Sequence, residues 1–229
     1  MKDLSEFAKK INVVFEDENL LRQAFTHRSY LNEHRDEGLV HNERLEFLGD
    51  AVLELASTRF LYDKFPERPE GELTAFRAAL VNANTLGDIG FALGMGDLLL
   101  LSRGESKDTG HARLILIANA MEALIGAIYL DQGYDSAERF IAENVFTKID
   151  DIVKNRLWQD AKSTFQERAQ ELEGATPNYS VLREIGPDHG KVFVVGAYIR
   201  GMLVAQGEGR SKQDAEQAAA RAGLDLKGW

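Results

Sequence analysis

The stretch from 114 to 130, Leu114-Ile115-Leu116-Ile117-Ala118-Asn119-Ala120-Met121-Glu122-Ala123-Leu124-Ile125-Gly126-Ala127-Ile128-Tyr129-Leu130, constrains the fold most, because it is apolar throughout except at Asn119 and Glu122. A helix apolar on all sides must be enclosed, by lipid or by other helices. This one is at the lower edge of the length a bilayer needs, and an ionisable side chain near its middle is costly in hydrocarbon. The expected solution is a helix buried at the centre of a helical domain, with no membrane association. An ionised carboxylate in that setting is expensive unless it is paired or bound to metal, which makes Glu122 a candidate site residue.

A second helix is read in His41-Asn42-Glu43-Arg44-Leu45-Glu46-Phe47-Leu48-Gly49-Asp50, with Asn42 as its N-cap. At about 100° per residue, Glu43, Glu46 and Asp50 fall within roughly 60° of one another, and Leu45, Leu48, Val52 and Leu55 lie opposite. Taken alone, such an acidic stripe is better explained by the solvated face of an amphipathic helix. Glu46 and Asp50 are four residues apart and Asn119 and Glu122 three apart, so each pair offers oxygen ligands one turn from each other. Two such helices facing each other would close a cage for a hard divalent cation. Gly126, on the stripe of Asn119 and Glu122, either permits a close helix approach or is an incidental packing glycine.

Helical spacing also recurs at Leu4, Phe7, Ala8 and Ile11, at Leu20, Leu21, Ala24 and Phe25, and from 72 to 86, with Pro66, Pro69 and the polar segment 102–110 as interruptions. The helical pattern ends near 155. Beyond Trp158 the order becomes helix (162–172), three strand-like runs (178–184, 192–199 and 202–209) and an alanine-rich helix (214–226), which is α-β-β-β-α.

The 229 residues suit one or two domains, and the formal charge of −10 argues against nonspecific attraction to polyanions. The charge is uneven, however. From Gln159 onward, Lys162, Arg168, Arg183, Lys191, Arg200, Arg210, Lys212, Arg221 and Lys227 nearly balance the acids, so most of the negative excess lies earlier. The absence of cysteine excludes disulfides, zinc-thiolate sites and thiol catalysis. The first ten residues have no uninterrupted apolar core, so no secretion signal is expected and a cytoplasmic location is. His27 has no partner identifiable from sequence and is read as structural rather than as a general base. Ser29 lacks a nucleophile-elbow context, so no covalent catalysis is expected.

The wording of 41–50 resembles the signature of the bacterial ribonuclease III family. Thr26-His27-Arg28-Ser29-Tyr30 precedes it, and Pro69-Glu70-Gly71-Glu72-Leu73 and the run from Glu122 to Asp131 follow in the family's order. Pro177-Asn178-Tyr179, Gly186-Pro187-Asp188-His189 and the segment from Gly209 to Ala220 resemble a double-stranded RNA-binding domain. The implied architecture is an all-α N-terminal endonuclease domain (1–152), a linker (153–159) and an α+β double-stranded RNA-binding domain (160–229).

The implied activity is magnesium-dependent endonucleolytic hydrolysis of double-stranded RNA, with manganese able to substitute and no organic cofactor. It leaves 5′-phosphates and staggered 3′ overhangs in the processing of ribosomal, messenger and other precursor RNAs. The metal positions map onto Glu46, Asp50, Asn119 and Glu122, with Asp50 and Glu122 catalytic. Asn119 stands where the family usually carries aspartate, which removes one negative charge from the site. The alternative is therefore a catalytically impaired double-stranded RNA-binding protein. Glu43, Glu70 and Glu105 match supporting acidic positions, near the RNA path or the subunit interface. Phe47 faces the acidic side of its helix and matches the surface through which family members form homodimers. For RNA binding, Ser163, Gln166 and Gln170 match minor-groove positions, and His189 matches the loop that enters the next minor groove. Arg210, Ser211 and Lys212 join basic groups to the free N–H donors of a helix start. Gln213 replaces a residue that is often basic in the family.

Overall fold

The computed structural model describes residues 4–34, 37–107, 109–186 and 191–229. The chain forms two compact units whose main boundary lies between Trp158 and Gln159.

The first unit is helical: α1 (Leu4–Lys10), α2 (Glu18–Ala24), α3 (Arg28–Glu33), α4 (Glu43–Lys64), α5 (Glu70–Val81), α6 (Ala83–Ala92), α7 (Gly110–Gln132), α8 (Tyr134–Asn144) and α9 (Ile149–Lys154). The apolar run forms α7. This helix is long and apolar enough to cross a membrane, yet Ile117, Ala118, Ala120, Met121 and the run from Ala123 to Ile128 belong to the unit's core. The enclosing material is protein: Phe25, Leu53, Phe76, Leu80 and Phe140 share that core at 2% exposure or less. The end of α7 is tied to the start of α2 by Asp131, whose carboxylate accepts the backbone N–H groups of Glu16 and Asp17, both at 2.9 Å.

Two local expectations are corrected and one is refined. The helix expected over 72–86 is broken at Asn82, whose backbone is extended (ψ 161°). The Asn82 amide donates to the carbonyls of Ala78 and Ala79 and its Oδ1 accepts from Thr85 N, so one side chain closes α5 and opens α6. Asn42 holds the N-cap position of α4, as expected, and its carbonyl accepts from Glu46 N at 2.9 Å, but its side chain makes no capping bond. It is 3% exposed and donates Nδ2 to Ala24 O, joining α4 to the end of α2. Leu55, expected on the buried side of α4, is 60% exposed. The buried face is instead Leu45, Gly49, Val52, Leu53, Ala56, Ser57 and Leu61, rotated toward Glu46.

Residues 153–159, expected as a linker, hold the end of α9 and Trp158, whose ring meets Phe76 edge-on at 4.9 Å.

The second unit has the order α10 (Ala161–Glu173), β1 (Asn178–Ile185), β2 (Val192–Ile199), β3 (Met202–Gly209) and α11 (Lys212–Lys227). The three strands form an antiparallel sheet in sequence order, with Tyr179 opposite Ala197 and Ala197 opposite Ala205. Phe165 of α10, Ala215, Ala219, Ala220 and Leu224 of α11, and Val195, Ala197 and Ile199 of β2 make its core. The alanines of α11 are small because the helix lies against β3 itself: a Cβ on Gly207 would stand 2.1 Å from Ala219 N.

Candidate metal centre and RNA-binding residues

Helices α4 and α7 touch backbone to backbone at Gly49 and Gly126. A Cβ on Gly49 would lie 1.8 Å from the Glu122 carbonyl oxygen, and one on Gly126 would lie 2.2 Å from that of Leu45. No side chain fits in that contact. Glu46 is one turn before Gly49 and Asp50 follows it, while Glu122 is one turn before Gly126. The crossing therefore gathers three carboxylates from two helices. Gly126 is legible in the sequence as a candidate for close approach; nothing along the chain distinguishes Gly49, its counterpart, except its place between two candidate ligands.

The electrostatics record the same convergence. Burial, then Asp50, then Glu46 push the Glu122 carboxyl up to about 7. Burial, then Glu43, then Asp50 raise Glu46. Partly desolvated carboxylates that face one another resist ionisation, and a cation between them removes that resistance. Among the described residues no three His, Cys, Asp or Glu side chains stand close enough together, as placed, to hold a metal ion. Asn119 lies one turn before Glu122 on α7 and is partly exposed. The donor set of Glu46, Asp50 and Glu122 with the Asn119 amide is all oxygen and carries at most three negative charges, which suits a hard divalent ion.

The other acidic candidates separate. Glu43, the first residue of α4, belongs to the edge of the cluster, since its charge acts on Glu46. It also lies 3.5 Å from the Arg28 guanidinium and 3.7 Å from His41 Nδ1. Glu70 begins α5, where it accepts a hydrogen bond from Thr74 at 3.1 Å. Glu105 stands in a single 3₁₀ turn with an oxygen 2.7 Å from His27 Nδ1. Within one chain neither Glu70 nor Glu105 is among the charges acting on Glu46 or Glu122. The same His27 nitrogen accepts from Ser29 N at 3.3 Å and caps α3, so the ring has a positional role. The His27 and Glu105 pair was missed because its members are far apart in sequence and neither segment names the other.

Phe47 is 81% exposed on α4, and Leu55 and Tyr62 are exposed farther along the same helix. Rotation of the core face toward α7 leaves these side chains outside.

In the second unit, Ser163, Gln166 and Gln170 are exposed on α10. The Ser163 hydroxyl donates to Asp160 Oδ2 at 2.7 Å, within the cap that Asp160 makes on α10. Ser211 caps α11, with its hydroxyl oxygen accepting from Asp214 N at 3.1 Å. One N–H group expected to be free at that helix start is therefore already satisfied. Lys212, the first residue of α11, places its ammonium 5.8 Å from the Phe193 ring centre. His189 lies outside the described residues.

Comparison with known proteins agrees with both units. Residues 17–149 match the family model described as Ribonuclease-III-like, and 161–226 match the double-stranded RNA binding motif. Ribonuclease 3 of Geobacillus thermodenitrificans is 47% identical over 220 residues, covering 96% of this chain and 89% of the relative. Ribonuclease 3 of Bacillus velezensis is 45% identical over 224 residues, covering 98% and 90%. Among solved structures, the nuclease domain of ribonuclease III from Campylobacter jejuni superposes with a TM-score of 0.56 at 34% identity, covering 63% of this chain and 97% of that one. A helical unit built around a carboxylate-bearing crossing, an appended α-β-β-β-α unit, and relatives alike over nearly the whole length have one common explanation: the chain belongs to the ribonuclease III family and is a ribonuclease with a nuclease domain followed by a double-stranded RNA-binding domain.

Proposed function

We propose that this ribonuclease hydrolyses double-stranded RNA with magnesium held by Glu46, Asp50, Asn119 and Glu122, manganese being an acceptable substitute. The observation that carries the reading is the contact of Gly49 with Gly126, which sets Glu46 and Asp50 against Glu122. Family membership implies a divalent-metal requirement, and the oxygen donors at the crossing fit one. When bound, the ion supplies charge neutralisation on the phosphate and a more acidic attacking water. Asp50 and Glu122 are the groups assigned to the chemistry: Asp50 would accept a hydrogen bond from the attacking water, and Glu122, ionised once a cation sits beside it, would help hold the ion that offsets charge on the reacting phosphate. Asn119 contributes a neutral amide oxygen.

The second unit holds the duplex by shape. Ser163, Gln166 and Gln170 are assigned to the minor groove, His189 to the next minor groove, and Arg210, Ser211 and Lys212 to phosphates. The exposed Phe47 surface of α4 is assigned to a homodimer; the C. jejuni nuclease domain has a region involved in dimer formation. Each subunit of a two-fold dimer would cut one strand, leaving 5′-phosphates and staggered 3′ overhangs. Glu70 and Glu105, remote from the cluster within one chain, then serve the interface or the RNA path. Precursor ribosomal and messenger RNAs in the cytoplasm are the substrates proposed.

Asn119 supports a second reading, a duplex-binding protein with a crippled site. Incubating the pure protein with a long RNA duplex, magnesium or a chelator separates the two. Metal-dependent shortening is expected; binding without shortening overturns the nuclease reading in favour of the second.

A further inference from the structure

Arg28 and His41 lie beside Glu43 at the edge of the carboxylate cluster, and Arg28 has no role in the proposed function. Its placement is built into the backbone. Asn42 donates its N–H to Thr26 O at 2.9 Å and its Nδ2 to Ala24 O at 3.2 Å, while Gln23 Nε2 donates to His41 O at 3.1 Å. Thr26 is fully buried and Asn42 nearly so. These bonds fasten the 23–26 segment along 41–42, which brings Arg28, two residues on, within reach of Glu43, one residue on.

The Arg28 side chain is 72% exposed and its contact with Glu43 is long at 3.5 Å. This single contact occupies one guanidinium N–H and leaves the other donors free for a second partner. A phosphodiester is such a partner, because guanidinium binds phosphate oxygens through two parallel hydrogen bonds. The need for a cation is local. Glu43, Glu46, Asp50 and Glu122 together repel a polyanion at the place where the backbone must approach.

We propose that Arg28 binds an RNA backbone phosphate beside the cleavage site, and that Glu43 is its positioning residue, holding the guanidinium at the rim of the cluster rather than ligating metal. This rests on the assignment of the α4 and α7 crossing as the cleavage site. Glu43 lies beside Arg28 and His41 and, unlike Glu46 and Asp50, is not among the charges acting on Glu122, which sets it apart from the ligand set.

The test uses the full-length protein as R28A, R28K, E43Q and the R28A/E43Q double variant. Three quantities are measured: binding of a short duplex in chelator across a salt series, cleavage kinetics in magnesium, and manganese binding without RNA. R28A is expected to raise KM about three- to tenfold with a smaller change in kcat, and to make the salt slope of binding shallower by about one. R28K should retain the slope. E43Q should shift KM in the same direction and add nothing to R28A, because both act through one contact. Manganese affinity should change by less than about tenfold in all four, since Glu43 acts on Glu46 only through its charge. An R28A protein with wild-type KM and salt slope overturns the proposal, as does an E43Q protein that loses manganese affinity by an order of magnitude. Wild-type protein that neither binds nor cuts the duplex overturns the functional reading itself, and this inference with it.

Discussion

Gly49 on α4 and Gly126 on α7 meet so closely that a methyl group on either would overlap a carbonyl oxygen of the opposite helix, that of Glu122 or that of Leu45. This contact sets the distance between the candidate ligands.

Gly49→Ala should therefore disturb the site through the backbone. The added carbon, 1.8 Å from the Glu122 oxygen, must push the helices apart. Overpacking of this kind costs about 1–3 kcal/mol. Urea unfolding is expected to show that loss, and manganese titration of the folded fraction a weaker site. Wild-type values for both would mean that the helices adjust freely.

The metal-free protein should lose stability as pH rises. Glu122 is raised from an ordinary value of 4.5 to about 7, chiefly by burial and then by Asp50 and Glu46. A carboxyl that binds its proton more tightly when folded stabilises the fold fully below its unfolded pKa, and that contribution disappears as pH passes through the folded value. Between about pH 5 and 8 the wild type should lose about 1–3 kcal/mol relative to Glu122→Gln, which cannot ionise. Denaturation in chelator at several pH values measures the difference; parallel curves for the two proteins would contradict a raised Glu122.

Asn119→Asp should lower the magnesium concentration needed for half-maximal cleavage several-fold, since it restores a charge to an oxygen-ligand site. An unchanged metal dependence would show that Asn119 is not a ligand.

Lys212→Ala should weaken binding to duplexes of every sequence alike and reduce the salt slope by about one, as expected for loss of one phosphate contact. Binding assays on several unrelated duplexes check this. Loss confined to particular sequences would contradict recognition by shape.

Much of the architecture was legible along the chain. The enclosed α7 followed from an apolar run that water cannot surround, and the strands of the second unit followed from β-rich runs punctuated by Gly and Pro, with ends at the predicted residues or one beyond. The break at Asn82 was not legible, because Asn is tolerated inside a helix and only its bonds to Ala78, Ala79 and Thr85 make it a terminus here. The buried side of α4 was misplaced for a related reason. Periodicity weighs Leu55 above Gly49, but α7 packs where there is no side chain, and the leucine is left in solvent.

The sequence by itself determined that Glu122 needed a partner, since charge in an apolar helix is costly wherever that helix lies, and it marked Glu46 and Asp50 as one stripe. Only the tertiary structure decided that these groups meet at a glycine contact, that Glu43 stands between Arg28 and His41, and that Glu105 turns to His27. Spacing along one helix sets which side chains share a face. Which faces come together depends on backbone approach between segments far apart in the chain, and that distance is a property of packing.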